Sequence, residues 1–146
     1  MKKNLRLLIL FVLIAALCIP AAAIAGETRA SLYIASYMAK AGSTGGKAVE
    51  TAFSITGTGP MEDIGATDVY LYEKLPGSSS WTLAKYYSYA QSGNGHMMGK
   101  NNNLHSSYVS YTGVSGAQYY AVIYFWAGKN GGGDSRDYTT AIFTLP

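Results

Sequence analysis

The chain has 146 residues, enough for one domain with a substantial core but short for two. Its formal charge of +3 comes from the N-terminal segment, where Lys2, Lys3 and Arg6 are three of the 11 basic residues; the remaining eight are balanced by eight acidic residues. A neutral domain without a basic patch excludes the usual electrostatic basis of nucleic-acid binding.

The first 25 residues have the pattern of an export signal. The basic residues precede an apolar run, Leu7–Ile19, and Pro20 then leads to Ala23-Ile24-Ala25, the small residues that signal peptidase recognises. This apolar run is short for a bilayer span. We therefore expect residues 1–25 to be cleaved as a signal peptide, leaving a secreted domain of residues 26–146 with no membrane anchor.

Short runs of β-forming residues follow, separated by clusters of Gly, Ser, Asn and Pro. In Lys47–Thr56, buried and solvated residue types alternate at period two, as in a half-buried strand. We expect Gly42–Gly46 to be a turn, Gly57–Ala66 a loop, and Gln91–Asn103 the longest irregular stretch. Strands are predicted at 29–40, 47–56, 68–75, 81–90 and 104–112, with two more in 116–143.

The stretch Gly116–Phe143 predicts a β-hairpin. Its first half, up to Ala127, is apolar on both faces, which is typical of an interior strand. The glycine-rich segment that follows contains Asn130-Gly131, which supplies the positive φ angles of a tight reversal. We expect the first half to be a central strand that the other strands cover.

No segment carries sustained apolar residues at helical spacing. The pattern predicts an all-β fold: an antiparallel β-sandwich of about seven strands, with immunoglobulin-like or fibronectin-III-like connections. In such a fold we expect the hydroxyl of Tyr119 to bond back to the preceding corner. We also expect Trp81 to fill the core against Phe53, Val69 or Ile123.

The residue pattern predicts no catalytic, cofactor or metal site. His96 and His105 lack the spacing of zinc ligands, and we expect a solvated ring for His96 and a structural hydrogen bond for His105. Two acidic pairs lack the repeated ladder of a strong calcium site and are expected to be solvated loop charges: Glu62/Asp63 and Asp134/Asp137. We therefore expect a non-enzymatic protein, with a hydrolase assembled only by the fold as an alternative.

The unusual feature is the aromatic content, with 13 tyrosines and two tryptophans, all beyond the predicted leader. Period-two alternation places several of them on one outer sheet face, where rings can stack on a carbohydrate or bury against a protein partner, including a second copy of the chain. A surface that merely favours strand formation is the alternative. The predicted ligand-binding residues are Tyr70, Tyr72, Tyr120, Tyr124 and Trp126.

Several segments, covering about residues 28–140, resemble a family of small exported proteins from Clostridia-like Gram-positive bacteria, classed as a domain of unknown function. The resemblance implies an extracellular location and assigns no functional residue. It rests, in chain order, on Ile55-Thr56-Gly57-Thr58-Gly59-Pro60-Met61-Glu62-Asp63-Ile64-Gly65-Ala66, Tyr72-Glu73, Trp81, Asn103, His105 and Gly116-x-x-Tyr119-x-Ala121-x-Ile123-x-Phe125-x-Ala127.

The sequence thus favours an exported, non-enzymatic module that binds a glycan or a protein. A secreted bacteriocin or toxin-like protein is a second alternative, because His105-Ser106-Ser107-x-Val109 is similar to a segment of bacteriocins of the lactococcin 972 type. We expect no cofactor and no nucleic-acid partner.

Overall fold

A computed structural model describes residues 31–146, and this part of the chain is nearly all β-structure. The predicted signal peptide and residues 26–30 of the predicted domain lie outside the described residues. A single 3-10 turn, Gly95–Met97, is the helical element between residues 31 and 146. The strands of this part are β1 (Ile34–Gly45), β2 (Ala48–Lys74), β3 (Thr82–Ser88), β4 (Met98–Thr112), β5 (Gln118–Lys129), β6 (Gly132–Thr139) and β7 (Phe143–Thr144).

Strand β2 is the element around which the sheet is arranged. Its first half pairs with β1 and β4, and its second half pairs with β3 and β5, all in the antiparallel sense. Strand β5 also pairs with β6 and β7. The prediction of a central strand after Gly116 is confirmed, because β5 lies between β2 and β6, and β2 has still more neighbours.

The prediction of a loop at Gly57–Ala66 is also wrong, because β2 continues through this segment. Its pairing with β4 is interrupted between Thr56 and Met61, so the strand bends without ending. A Cβ on Gly57 would lie 2.8 Å from the carbonyl oxygen of Gly59, which explains why glycine stands at the bend. Glycine and proline, which usually terminate strands, here mark an irregularity inside one.

Two hairpins turn on residues with positive φ. Strand β1 runs through much of the predicted turn and reverses into β2 at Gly45 and Gly46. The β5–β6 hairpin reverses at Asn130 and Gly131, with φ of 52° and 75°. Positive φ at both central residues is the geometry that suits the twist of a two-residue hairpin, and the predicted hairpin turn is confirmed.

The sheet curls into a half-barrel, so side chains of its two halves meet in one core. The Phe125 ring lies 5.4 Å from the Tyr37 ring and 6.1 Å from the Phe53 ring, measured between centroids. Each fully buried side chain of this size stabilises the fold by about 1.5–3 kcal/mol. Other large side chains with almost no exposure are Ile55, Met61, Ile64, Leu71, Met97, Tyr119, Ile123 and Leu145.

Tyr119 ties the segment before β5 to this core. Its hydroxyl accepts a hydrogen bond from the backbone N–H of Val114 at 2.8 Å and donates one to the carboxylate of Glu73 at 3.2 Å. Burial of the ring raises the pKa of the phenol above its ordinary value. The predicted hydrogen bond from Tyr119 back to the preceding corner is confirmed.

The prediction of an all-β, antiparallel fold with about seven strands is confirmed for residues 31–146. The irregular stretch predicted at Gln91–Asn103 is shorter than expected, because β4 already begins at Met98. Within the same residues, no helix has the length and apolar character needed to cross a membrane.

Candidate binding face

The outer surface of the β3–β2–β5 part of the sheet is rich in aromatic rings. Inward side chains such as Val69 and Ile123 are fully buried, so their neighbours along each strand point outward. All five predicted ligand-binding residues lie on this outer surface, together with Tyr86 of β3 and Trp81, which directly precedes β3. We call the set the aromatic face: Tyr70, Tyr72, Trp81, Tyr86, Tyr120, Tyr124 and Trp126.

The rings of the aromatic face contact one another across the strands in two groups. In the first, Tyr70 on β2 lies 4.8 Å from Tyr86 and 5.8 Å from Tyr124, measured between ring centroids. In the second, Tyr72 stacks on Tyr120 at 5.0 Å with an interplanar angle of 12°. These contacts leave the rings half-buried, except Tyr124, which is 44% exposed. Mutual packing therefore holds the rings in place while each remains partly exposed to solvent.

Trp81 belongs to the aromatic face and not to the core, so the expectation that it packs against Phe53, Val69 or Ile123 is wrong. Its ring meets the edge of Tyr120 at 4.8 Å. The ammonium of Lys74 lies 5.3 Å from the Trp81 ring centroid, which is within the range of a cation–π contact. The inner surface is instead filled by aliphatic side chains and by rings such as Phe53, Tyr119 and Phe125.

A carboxylate lies among the rings. Asp68 points outward opposite Tyr124 on β5 and accepts a hydrogen bond of 2.5 Å from the hydroxyl of Tyr86. This bond is the main cause of the raised pKa of Tyr86. The second carboxylate oxygen of Asp68 is a potential acceptor for a ligand hydroxyl.

Trp126 lies at the opposite end of the aromatic face from Trp81. Its indole covers the backbone of the β5–β6 hairpin: a Cβ added to Gly133 would collide with the ring, and one added to Gly128 would lie 3.0 Å from Nε1. Glycine at these two positions lets the indole lie against the backbone. Trp126 is half-buried as a result.

The two histidines are structural. The ring nitrogens of His96 lie 3.1 Å from the Gly93 carbonyl oxygen and 3.0 Å from the Tyr108 carbonyl oxygen on the open edge of β4. His96 is exposed, as expected for a solvated ring, and its ring also contacts these two carbonyl oxygens. Nε2 of His105 lies 2.9 Å from the carbonyl oxygen of His96, which confirms a structural role for His105.

One member of each acidic pair contacts a basic side chain. Asp63 is paired with Lys100 at 2.6 Å, and Asp134 is paired with Arg136 at 2.7 Å. Hydrogen bonds to the Asp134 carboxylate, with that from Ser31 contributing most, lower its pKa. Within residues 31–146, no group of three or more His, Cys, Asp and Glu side chains is arranged to hold a metal ion.

The other half of the sheet has a different outer surface. A groove of about 390 Å³ crosses β1, β2 and β4, where register places Ala52 between Lys40 and Tyr108, and Met38 also lines it. Met38 and Tyr108 are 63% and 55% exposed. This groove lacks the contacting rings of the aromatic face, so its exposed residues serve as controls for experiments on that face.

Sequence reasoning missed three members of the site: Trp81, Tyr86 and Asp68. Tyr86 lies directly opposite Tyr70 on the neighbouring strand. Which residues of β3 point outward also depends on the bulge between Leu71 and Tyr72, and the sequence does not indicate this bulge. Strand alternation could have placed Asp68 beside Tyr70, since they are two residues apart. No sequence signal distinguishes an outward Trp81 from a core one.

No protein-family model matches the chain, and no match is found among curated proteins. Among solved structures, the sporulation control protein Spo0M from Bacillus subtilis is similar to 76% of this chain, with 13% sequence identity and a TM-score of 0.39. The matched region is 49% of that chain, so the present chain corresponds to about half of its length. A likeness at this level assigns neither a family nor an activity.

Proposed function

We propose that this chain is an exported, non-enzymatic binding module whose aromatic face binds a glycan. The observation that carries the proposal is the pair of contacting ring groups, Tyr70/Tyr86/Tyr124 and Tyr72/Tyr120/Trp81. One side of a pyranose ring presents C–H groups that stack on an aromatic ring, while its hydroxyls bond to polar groups at the periphery. Seven rings, five of which carry a hydroxyl group, offer both kinds of contact.

The packing of the rings favours binding without reorganisation. A side chain that is already held by its neighbours loses little rotamer freedom when a ligand binds, so less of the interaction energy is offset by ordering. The aromatic face also contains a negative charge on Asp68 and a positive charge on Lys74. Charged groups are depleted in the cores of protein–protein interfaces, which makes a glycan a better partner for this surface than a second protein.

The extracellular location is part of the proposal. It is supported by the basic, apolar and small-residue order of residues 1–25 and by the resemblance to exported proteins of Clostridia-like bacteria. We expect the secreted protein to begin at Gly26, which intact-mass measurement of a culture supernatant would establish. A mass that includes the leader would contradict the export proposal.

The proposal extends to a sandwich of immunoglobulin-like type. The contact of Phe125 with Tyr37 and Phe53 across the core supports a two-layered arrangement, and the Tyr119 hydrogen bond supports the immunoglobulin-like type. An experimental structure in which these layers are open and do not pack together would contradict this assignment.

The experiment is a glycan array with purified protein, followed by calorimetric titration of an oligosaccharide that the array identifies. Replacing Tyr72 and Tyr120 by Ser removes the stacked pair and is expected to weaken binding at least tenfold, since stacking on one ring is worth about 1–3 kcal/mol. Tyr108→Ser, which removes an exposed tyrosine from the other half of the sheet, is the matched control and should leave affinity unchanged.

Three results would contradict the proposal. The first is a wild-type protein that binds no glycan, and the second is equal weakening by Tyr108→Ser. The third is a dimer in sedimentation that the Tyr72/Tyr120 variant converts to a monomer, because the face would then be an interface between two copies. Circular dichroism of each variant shows that the sheet is intact.

A further inference from the structure

A pocket of about 300 Å³ adjoins the Trp126 end of the aromatic face. Strands β4, β2 and β5 lie side by side here, and register places Met98, Gly65 and Trp126 in one row across them. The next row contains Lys100, Asp63 and Gly128. We call this the Trp126 pocket; it is lined by Asp63, Thr67, Tyr89, Met98, Lys100 and Trp126.

The backbone creates the pocket in two ways. A Cβ on Gly65 would collide with the carbonyl oxygen of Met97, so glycine at this position lets the start of β4 come close to β2. A bulge between Ala66 and Asp68 adds Thr67 to β2, and the Thr67 hydroxyl donates a hydrogen bond to the Tyr124 carbonyl oxygen at 3.3 Å. The bulge thus joins the pocket to the aromatic face.

The Trp126 pocket combines an aromatic surface with an ion pair that has no net charge. The Lys100 ammonium donates a hydrogen bond to the Asp63 carboxylate at 2.6 Å, and both groups remain open to solvent. A donor and an acceptor at this separation match two adjacent hydroxyl groups, one accepting from the ammonium and the other donating to the carboxylate. The Trp126 ring, supported from behind by Gly128 and Gly133, provides a stacking surface next to them.

The pocket also lies where an elongated ligand would end. From Tyr120 to Trp126 the aromatic face follows seven residues of β5, roughly 20 Å for six steps at the rise of an extended strand. Beyond Trp126, the side chains of Met98 and Lys100 from β4 and Tyr89 border the surface.

We propose that the Trp126 pocket binds the terminal sugar ring of the glycan, a neutral hexopyranose with two adjacent free hydroxyls. This inference rests on the proposed function and specifies its ligand. Trp126 stacks on the C–H side of the ring, and Asp63 and Lys100 bind the diol. Because the charge pair is already neutral, a ring bearing its own carboxylate would compete with Asp63 for Lys100 and bind less well.

The test uses the Trp81→Phe variant, in which Trp126 is the remaining tryptophan of the sequence. Its fluorescence is titrated with the methyl α-pyranosides of glucose, mannose and galactose and with glucuronic acid. At least one neutral glycoside is expected to change the Trp126 emission at millimolar concentration. Asp63→Asn and Lys100→Met should each weaken this response about tenfold, whereas Lys40→Met, an exposed lysine on β1, should not.

The outcomes separate this inference from the proposed function. If an oligosaccharide binds through Tyr72 and Tyr120 but no neutral glycoside perturbs Trp126, the pocket is not a sugar site and the aromatic-face proposal stands. A response to glucuronic acid alone, or equal weakening by Lys40→Met, also overturns the assignment of a neutral diol. If no glycan binds the wild-type protein, both proposals fail. Melting temperatures of the variants show whether the fold is retained.

Discussion

Replacing Tyr119 with Phe tests whether the corner hydrogen bonds stabilise the fold. The Tyr119 ring is fully buried, and Phe retains its packing against Phe143, whose ring centroid lies 5.8 Å away. The variant loses only the hydroxyl, which accepts from the Val114 N–H and donates to Glu73. Any change in stability therefore reports on these two bonds.

The expected loss is about 2 kcal/mol. The net contribution of one hydrogen bond is roughly 1 kcal/mol, and leaving the Val114 N–H without its partner adds a desolvation penalty of roughly 1 kcal/mol. The Glu73 bond adds little, because the half-buried carboxylate can bond to water after the substitution. At about 4 °C per kcal/mol for a domain of this size, the melting temperature should fall by about 8 °C.

The assay is urea and thermal unfolding of the domain, followed by far-ultraviolet circular dichroism. Tyr108→Phe, which removes an exposed hydroxyl from β4, is the control and should melt with the wild type. Combining Tyr119→Phe with Glu73→Gln should add almost nothing, since the two groups share one bond. A Tyr119→Phe protein that melts together with the control would refute the argument that the corner bond stabilises the fold.

Two further predictions concern close packing and pH. Gly113→Ala should lower the free energy of unfolding by about 1–3 kcal/mol, because the added Cβ would lie 2.8–2.9 Å from Leu145, Tyr119 and Val49. Gly42→Ala faces open space and should melt at or slightly above the wild-type temperature; equal loss in both variants would contradict the packing argument. Burial raises the pKa of the Tyr119 phenol above its unfolded-state value. The protonated phenol therefore stabilises the fold below about pH 10, and this stabilisation is lost as the pH rises through the higher folded-state pKa. Melting temperatures between pH 8 and 12 should fall above pH 10 and fall less in Tyr119→Phe; identical pH profiles would contradict this.

Local patterns in the sequence were sufficient to predict several elements of the structure. Asn130-Gly131 adopts the positive φ angles that its residue types favour, and the hairpin forms where the pattern predicts it. Period-two alternation in β5 separates buried residues such as Ile123 from outward ones such as Tyr124. The hydrogen bond of Tyr119 was predictable because the position of this residue after Gly116 matches a recurrent corner of immunoglobulin-like folds. In each case, the signal lies within a few residues of the feature.

Other features depend on residues distant in the chain. Gly57 and Pro60 resemble a loop signal, but pairing of both flanking segments with β4 keeps them within one bent strand. Trp81 looks like a core residue by its size, yet Lys74 and Tyr120 hold it on the outer face. His96 lies in a polar segment and still contacts the edge of β4, because the chain returns to that edge.

The all-β class, the hairpin and the outward alternation of the aromatic residues could be predicted from the amino-acid sequence, because residue type and spacing set strand propensity and side-chain direction. The tertiary structure was needed to show that one bent strand joins both halves of the sheet. It also decided that Tyr72 stacks on Tyr120, and that Asp63 and Lys100 meet beside Trp126. Those contacts depend on register and bulges between strands that are far apart in the chain, and a one-residue shift in register would separate them.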